Sequence, residues 1–330
     1  MKKKKNDPPM ETSIIGEGRV IKNTGSAYLV RMEESGIELN CRIKGNFRIK
    51  GIRTTNPVAV GDIVTVSEAA DDADYITAIA PRKNYIIRRA SNLSKESHIL
   101  ASNLDLAILV ATLREPVTTT TFIDRFLATA EAYSVNAAVV LNKEDLWDEE
   151  DRELAEALKN LYTSIGYPVL FVSATTGEGL QELKEFVANK ITLLAGNSGV
   201  GKSSLINALV PGADLRTGEI SDLHHTGTHT TTFSEMIDLP GGGAIIDIPG
   251  VRGFGTIDFA PDEVGHFFPE IFRMSRECRY SDCKHTGEPG CAVVPAVEEH
   301  YISESRYASY LSILEEASEE AGADKYRKPF

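Results

Sequence analysis

The chain has 330 residues, 42% hydrophobic and 25% charged, which suits a globular protein with room for two or three domains. No apolar run approaches the ~20 residues of a membrane span, and the basic start Met1-Lys2-Lys3-Lys4-Lys5 leads into no apolar core; neither a spanning helix nor a secretory signal is read, and a cytoplasmic address is expected. The formal charge of −13 is uneven: residues 1–90 carry 16 Lys/Arg against 11 Asp/Glu and residues 91–330 carry 19 against 37, which points to a polyanionic partner for the N-terminal part alone, with a merely solvated charged surface and a disordered lysine tail as the alternative.

Residues 1–11 read as a disordered basic tail. Over 12–81, alternating segments at 18–22, 27–32, 37–43, 62–66 and 75–79 are separated by turn residues and predict five short strands. That many short strands suit a small closed barrel, the OB-fold first and an SH3-like spacer second. Between the third and fourth strands, Lys44, Arg48, Lys50 and Arg53 interleave with apolar residues, a phosphate-contacting composition. Cys41 reads as a small buried strand residue.

A linker is read at 81–84, after which strands alternate with helices: strand 104–112, helix 119–134, strand 137–141, helix 148–165, strand 169–173 and helix 178–190. This is the pattern of a doubly wound, mostly parallel α/β sheet, whose ligands bind beyond the carboxyl ends of the strands. At two such ends stand Asn142-Lys143-Glu144-Asp145 and Ser173-Ala174-Thr175. A carboxylate at Asp145 can accept from guanine N1–H and the exocyclic amine, which adenine does not offer in that arrangement. Asn142 then supports the loop, Lys143 lays its stem along the base, and the Ala174 N–H meets the guanine oxygen. Taken alone, the four residues also read as a helix cap after a strand.

Next comes an apolar strand at 191–195, then Gly196-Asn197-Ser198-Gly199-Val200-Gly201-Lys202-Ser203, then the helical Ser204-Leu205-Ile206. Glycines let consecutive N–H groups turn around an anion, Lys202 brings a mobile cation, and Ser203 offers a hydroxyl to Mg²⁺. Thr230, Thr231 and Thr232 follow in a polar stretch; one of them, taken as Thr231, closes over the metal. Asp247-Ile248-Pro249-Gly250 follows a strand: Asp247 reaches Mg²⁺ through water and Gly250 offers its N–H to the γ-phosphate. The base motifs precede the phosphate loop, the reverse of the usual GTPase order, so the domain is circularly permuted.

Cys278, Cys283, His285 and Cys291 fall within one short polar stretch, the donor set of a closed tetrahedral structural Zn²⁺ site; free thiols beside an incidental histidine are the alternative. Helices are expected at 264–274 and 297–318 around it, forming a small zinc-stapled helical unit.

Barrel, permuted motifs and cysteine cluster together resemble the bacterial ribosome small subunit-dependent GTPase A family, over roughly residues 12–318. The resemblance implies a GTPase that acts late in maturation of the small ribosomal subunit, binds its rRNA, and is stimulated by the particle; a permuted GTPase serving another RNA or ribonucleoprotein is the alternative. The expected domains are an OB-fold barrel at 12–81, the permuted GTPase at 82–255 and a helical zinc-binding domain at 256–330, in a monomer. After Asp-x-x-Gly, ordinary GTPases often place a water-orienting glutamine; here the position is Val251, which donates no hydrogen bond. The resemblance and the local chemistry point instead to His229, with Lys202 and Thr231 completing the catalytic set. Ile248 stands where a smaller residue is more familiar in the family.

Overall fold

The computed structural model describes residues 13–25, 27–43, 57–68, 74–89, 97–215, 234–248 and 259–325. Five strands come first: β1 (Ile14–Asn23), β2 (Tyr28–Met32), β3 (Glu38–Ile43), β4 (Ile63–Ser67) and β5 (Asp74–Ile79). They pair in the order β1-β2-β3-β5-β4, and β4 returns to β1, closing an OB-like barrel. Alternation decides the inside: Tyr28, Val30 and Met32 of β2 are buried, and they meet Val20, Cys41, Val64, Val66 and Ile76 in one core. Each large aliphatic so buried contributes about 1.5–3 kcal/mol. Burial pushes the Cys41 thiol up to about 12, so it packs as a small hydrophobe. The basic segment with Lys44, Arg48, Lys50 and Arg53 lies outside the described residues.

The segment expected as a linker is packed. Asp62 is fully buried and takes a bidentate pair from Arg82, Nε to Oδ1 at 2.7 Å and Nη2 to Oδ2 at 2.6 Å, while the Ser102 hydroxyl donates to Oδ1 at 2.5 Å. Ser102 closes a hairpin of β6 (Tyr85–Arg89) and β7 (Ser97–Ser102), in a stretch where no element is predicted.

The α/β part runs β8 (Leu106–Ala111), α1 (Thr120–Ala132), β9 (Ala137–Asn142), a 3₁₀ turn (Glu144–Leu146), α2 (Glu149–Ile165), β10 (Val169–Val172), α3 (Leu180–Val187), β11 (Ile191–Ala195), α4 (Lys202–Leu209), β12 (Glu235–Asp238) and β13 (Ala244–Asp247). The sheet order is β10-β9-β8-β11-β13-β12, parallel except for β12. Because side chains alternate, Ala107, Leu109 and Ala111 pack with α1 and α2 on one face, while Leu106, Ile108 and Val110 pack with α3 and α4 on the other. β12 also meets β1, with Lys22 opposite Glu235, so barrel and α/β sheet share one continuous ladder.

The C-terminal part holds a 3₁₀ turn (Val264–Phe267), α5 (Pro269–Ser275), α6 (Val293–Glu298) and α7 (Glu304–Lys325). The helix expected at 297–318 is two helices, because the chain turns at His300, whose φ is 62°. That expected at 264–274 divides at Pro269, which lacks the N–H to continue and begins α5. Phe268, Ile271, Val293, Ile302, Tyr310 and Ile313 form its core together with Ala128 of α1. Arg306 of α7, fully buried, reaches Asp124 of α1 at 2.9 Å and Glu270 of α5 at 2.7 Å, and lies over the Phe268 ring.

Candidate guanine-nucleotide site and metal centre

Asn142 ends β9 with its side chain buried, so it can bond only to what surrounds it. Its Nδ2 donates to Val200 O in the phosphate loop at 2.8 Å, and its Oδ1 accepts from Ala174 N at 3.2 Å. One side chain therefore ties three sequence motifs together. Lys143 follows at φ 67°, a turn that lifts the chain into the 3₁₀ segment bearing Asp145. The Ser173 hydroxyl donates to Asp145 Oδ1 at 2.5 Å and accepts from the Thr175 and Thr176 amides at 3.2 and 3.0 Å, orienting the carboxylate. Glu144 instead faces α2, 3.6 Å from Arg152. The Lys143 ammonium donates to Glu115 O, in the loop between β8 and α1.

The phosphate loop joins β11 to α4, and two of its glycines are sterically required. A Cβ on Gly196 would lie 2.4 Å from Val110 O, and one on Gly201 2.3 Å from Asn142 Nδ2, with φ values of 148° and 92°. Asn197, Ser198, Gly199 and Val200 form the turn between them; Ser203 and Ser204 lie in the first turn of α4. Lys202 Nζ donates to Gly196 O at 2.7 Å and Asn197 O at 2.9 Å, curled over the loop it would leave to meet phosphate.

Asp247 ends β13 opposite Leu194 of β11, at the carboxyl edge where the loop begins. Burial pushes the Lys202 ammonium below and the Asp247 carboxyl above their ordinary ranges, and each partly offsets the shift of the other. His229, Thr230, Thr231, Thr232 and Gly250 lie outside the described residues.

In the C-terminal unit, the ligand atoms of Cys278, Cys283, His285 and Cys291 all lie within 4.8 Å of one another. Tetrahedral zinc with thiolates at about 2.3 Å requires sulfur separations near 3.8 Å, so a small contraction suffices. His285 Nδ1 is 3.6 Å from both Cys278 and Cys291 Sγ. The donor set and its convergence fit zinc. Burial, the Cys291 thiol and the charge of Cys278 and Cys291 raise the Cys283 thiol to about 12, against a backbone bond at His285 that lowers it; a cation at the centre would reverse this. The backbone around the ligands is held from outside: Tyr307 OH donates to His285 O at 2.5 Å and Tyr310 OH to Lys284 O at 2.6 Å.

Residues 79–257 match the RsgA GTPase family model and residues 17–76 that of the RsgA N-terminal domain. The chain belongs to the RsgA GTPase family. It is 60% identical over 319 residues, 95% of this chain and all of the relative, to the small ribosomal subunit biogenesis GTPase RsgA of Porphyromonas gingivalis. It is 47% identical to the protein of that name from Flavobacterium johnsoniae, over 94% of this chain and 96% of the relative. Among solved structures it resembles YjeQ from Thermotoga maritima, with TM-score 0.73 and 35% identity over 92% of this chain and 98% of that one. It also resembles YloQ, described as a circularly permuted GTPase, with TM-score 0.69 and 28% identity over 99% of this chain and all of that one.

Membership in the RsgA family makes the chain a GTP hydrolase with a permuted GTPase fold. The segment 112–118 belongs to none of the motifs read in the sequence, yet its Glu115 O accepts from Lys143, and Pro116 lies so near Gly199 that a Cβ there would be 3.4 Å from its Cδ. Sequence carries no sign of such a contact, since a backbone carbonyl has no side-chain identity.

Proposed function

We propose that the chain binds the small ribosomal subunit and its rRNA and hydrolyses GTP to GDP and phosphate during late subunit assembly, with turnover stimulated by the particle. The names of its RsgA relatives supply the subunit. The carrying observation is Asn142, whose side chain bonds both the phosphate loop and the Ala174 amide, so that base and phosphate motifs form one pocket.

Within that pocket Asp145 reads guanine, Lys143 lies along the base, and the Ala174 N–H faces the guanine oxygen. The amides of residues 196–201, with Lys202, hold the phosphates; Ser203, Asp247 and Thr231 hold Mg²⁺. Magnesium, when bound, neutralises charge between the β- and γ-phosphates. Zinc, when bound, cross-links Cys278, Cys283, His285 and Cys291 and has a structural role only. His229 orients the attacking water, a role that Val251 cannot fill. The chain divides into a barrel over 12–81, a GTPase over 82–255 and a zinc unit over 256–330, acts as a monomer, and works in the cytoplasm.

Co-sedimentation with purified small and large subunits in a nonhydrolysable GTP analogue tests the partner: recovery with small subunits alone is expected, and recovery with neither refutes it. His229→Ala should retain GTP and particle binding but lose most of the stimulated rate in single-turnover hydrolysis. A wild-type rate would move the water-orienting group onto the particle.

A further inference from the structure

We infer that the loop between β8 and α1, residues 112–118, is the ribose-side wall of the nucleotide site, and that Arg114 is the residue that positions it. The inference rests on the guanine-nucleotide reading of the site. Base and phosphates of a nucleotide are joined through the ribose, and an exposed loop lying beside both recognition elements is placed to flank the sugar. This loop lies beside both. Glu115 O accepts from the Lys143 ammonium at the base end, and Pro116 lies where a Cβ on Gly199 of the phosphate loop would be 3.4 Å from its Cδ.

The loop is rooted at its base, where Thr112, Leu113 and Thr118 are buried and Thr112 N donates to Thr118 Oγ1 at 3.1 Å, and it is the tip that needs support from outside. Thr112 and Thr118 close its base, with Thr118 N donating to Thr112 O at 2.8 Å and Thr112 Oγ1 donating to Pro116 O at 2.5 Å. Its tip is open to solvent: Val117 is 68% exposed. Glu115 stands at φ 49°, a backbone conformation that a residue with a side chain keeps only where neighbours impose it. The Lys143 and Thr112 bonds supply part of this, and beside Glu115 stands Arg114, whose Nη2 pairs with Asp148 and whose Nε pairs with Asp151 at 2.5 Å. These carboxylates also cap α2, each accepting from the other's amide, so Arg114 is anchored to a fixed helix end rather than to a free surface acid. The anchor places Glu115 O under Lys143 and Pro116 against Gly199 before any nucleotide arrives, which favours binding by preorganisation.

The loop's contacts are to Lys143 and beside Gly199, so it should act on nucleotide affinity and leave the chemical step alone. Isothermal titration of the full-length protein with unmodified GDP and a nonhydrolysable GTP analogue tests this; ribose-labelled nucleotides would disturb the wall itself. Arg114→Ala should weaken both by about fivefold, with equal factors for the two. Turnover at saturating GTP should stay within about twofold of wild type, a KM effect without a kcat effect. Arg114→Lys should recover part of the affinity. Asp148→Asn, which keeps the α2 cap but removes one ionic partner, should fall between and serves if Arg114→Ala folds poorly.

Unchanged affinity in Arg114→Ala and Asp148→Asn would overturn the proposal, as would affinity and saturated turnover falling together with the melting temperature. Asp145→Asn separates the two ideas. If it loses guanine preference while the Arg114 variants bind normally, the pocket reading stands and the wall does not; if it binds GTP normally, the pocket reading itself fails.

Discussion

The Asp145 carboxylate, proposed to read guanine, is oriented by the Ser173 hydroxyl, itself fixed by two backbone amides. Asp145→Asn should leave the phosphate grip intact, weaken GTP binding by about a hundredfold, and admit xanthine nucleotide, whose extra carbonyl accepts from an amide. Competition binding with GTP and XTP checks this. The charges at the phosphate end predict a pH profile. Asp247 titrates above the ordinary range in the free protein but must be ionised to face Mg²⁺, so affinity for Mg·GTP falls as pH drops through its raised value. Lys202 titrates below the ordinary range but must be charged to meet phosphate, so affinity falls again as pH climbs through its lowered value. Each limb approaches tenfold per pH unit. Titration calorimetry across pH should show the acid limb flattened in Asp247→Asn; an unchanged limb would belong to the nucleotide's own phosphates.

At the scale of elements, strands β8 to β11 need no help beyond their apolar content, since both faces are covered by helices. The loops at their carboxyl ends are different: they carry left-handed residues such as Lys143 and Gly201 and depend on side chains from elsewhere. The cysteine-bearing segment is the extreme case, short on core and held at its backbone by Tyr307 and Tyr310. Its remaining order should come from zinc. Metal analysis should find about one equivalent per chain, and Cys283→Ala should release it and loosen the C-terminal unit while guanine-nucleotide binding survives. A folded, metal-free wild type would contradict this.

Among the described residues, buried ion pairs add to the β1–β12 ladder in joining the parts of the molecule. Arg82 with Asp62 fixes the barrel to the β6–β7 hairpin, and Arg306 with Asp124 and Glu270 fixes α7 and α5 to α1. Near the middle of α7, Arg125 adds a bidentate pair with Glu316, both bonds at 2.6 Å. Burial lifts the Asp124 carboxyl above its usual range although Arg306 opposes the shift, so the arginine is what keeps that charge tolerable. Arg306→Ala should cost about 3–5 kcal/mol in urea unfolding, because two acids lose their partner in a dry interface. A loss below about 1 kcal/mol would mean that water or Tyr162, which donates to Asp124 at 2.8 Å, compensates.

The sequence by itself determined the element types, the motif order and the chemistry of the donors. Glycine spacing before Lys202, the Asn142–Asp145 motif, and three cysteines with one histidine each admit few physical uses, and period-two alternation carried the barrel strands. Local pattern was silent on the hairpin at 85–102, and it placed a linker where Arg82 is buried, because the polar residues of 81–84 read as solvated until Asp62, distant in sequence, is seen beside them. It predicted one helix where the turn at His300 makes two. Only the tertiary structure decided that the Asn142 side chain bonds both the phosphate loop and the Ala174 amide and that Glu115 O accepts from Lys143, since such contacts depend on which strand ends become neighbours and on backbone partner atoms that every residue shares.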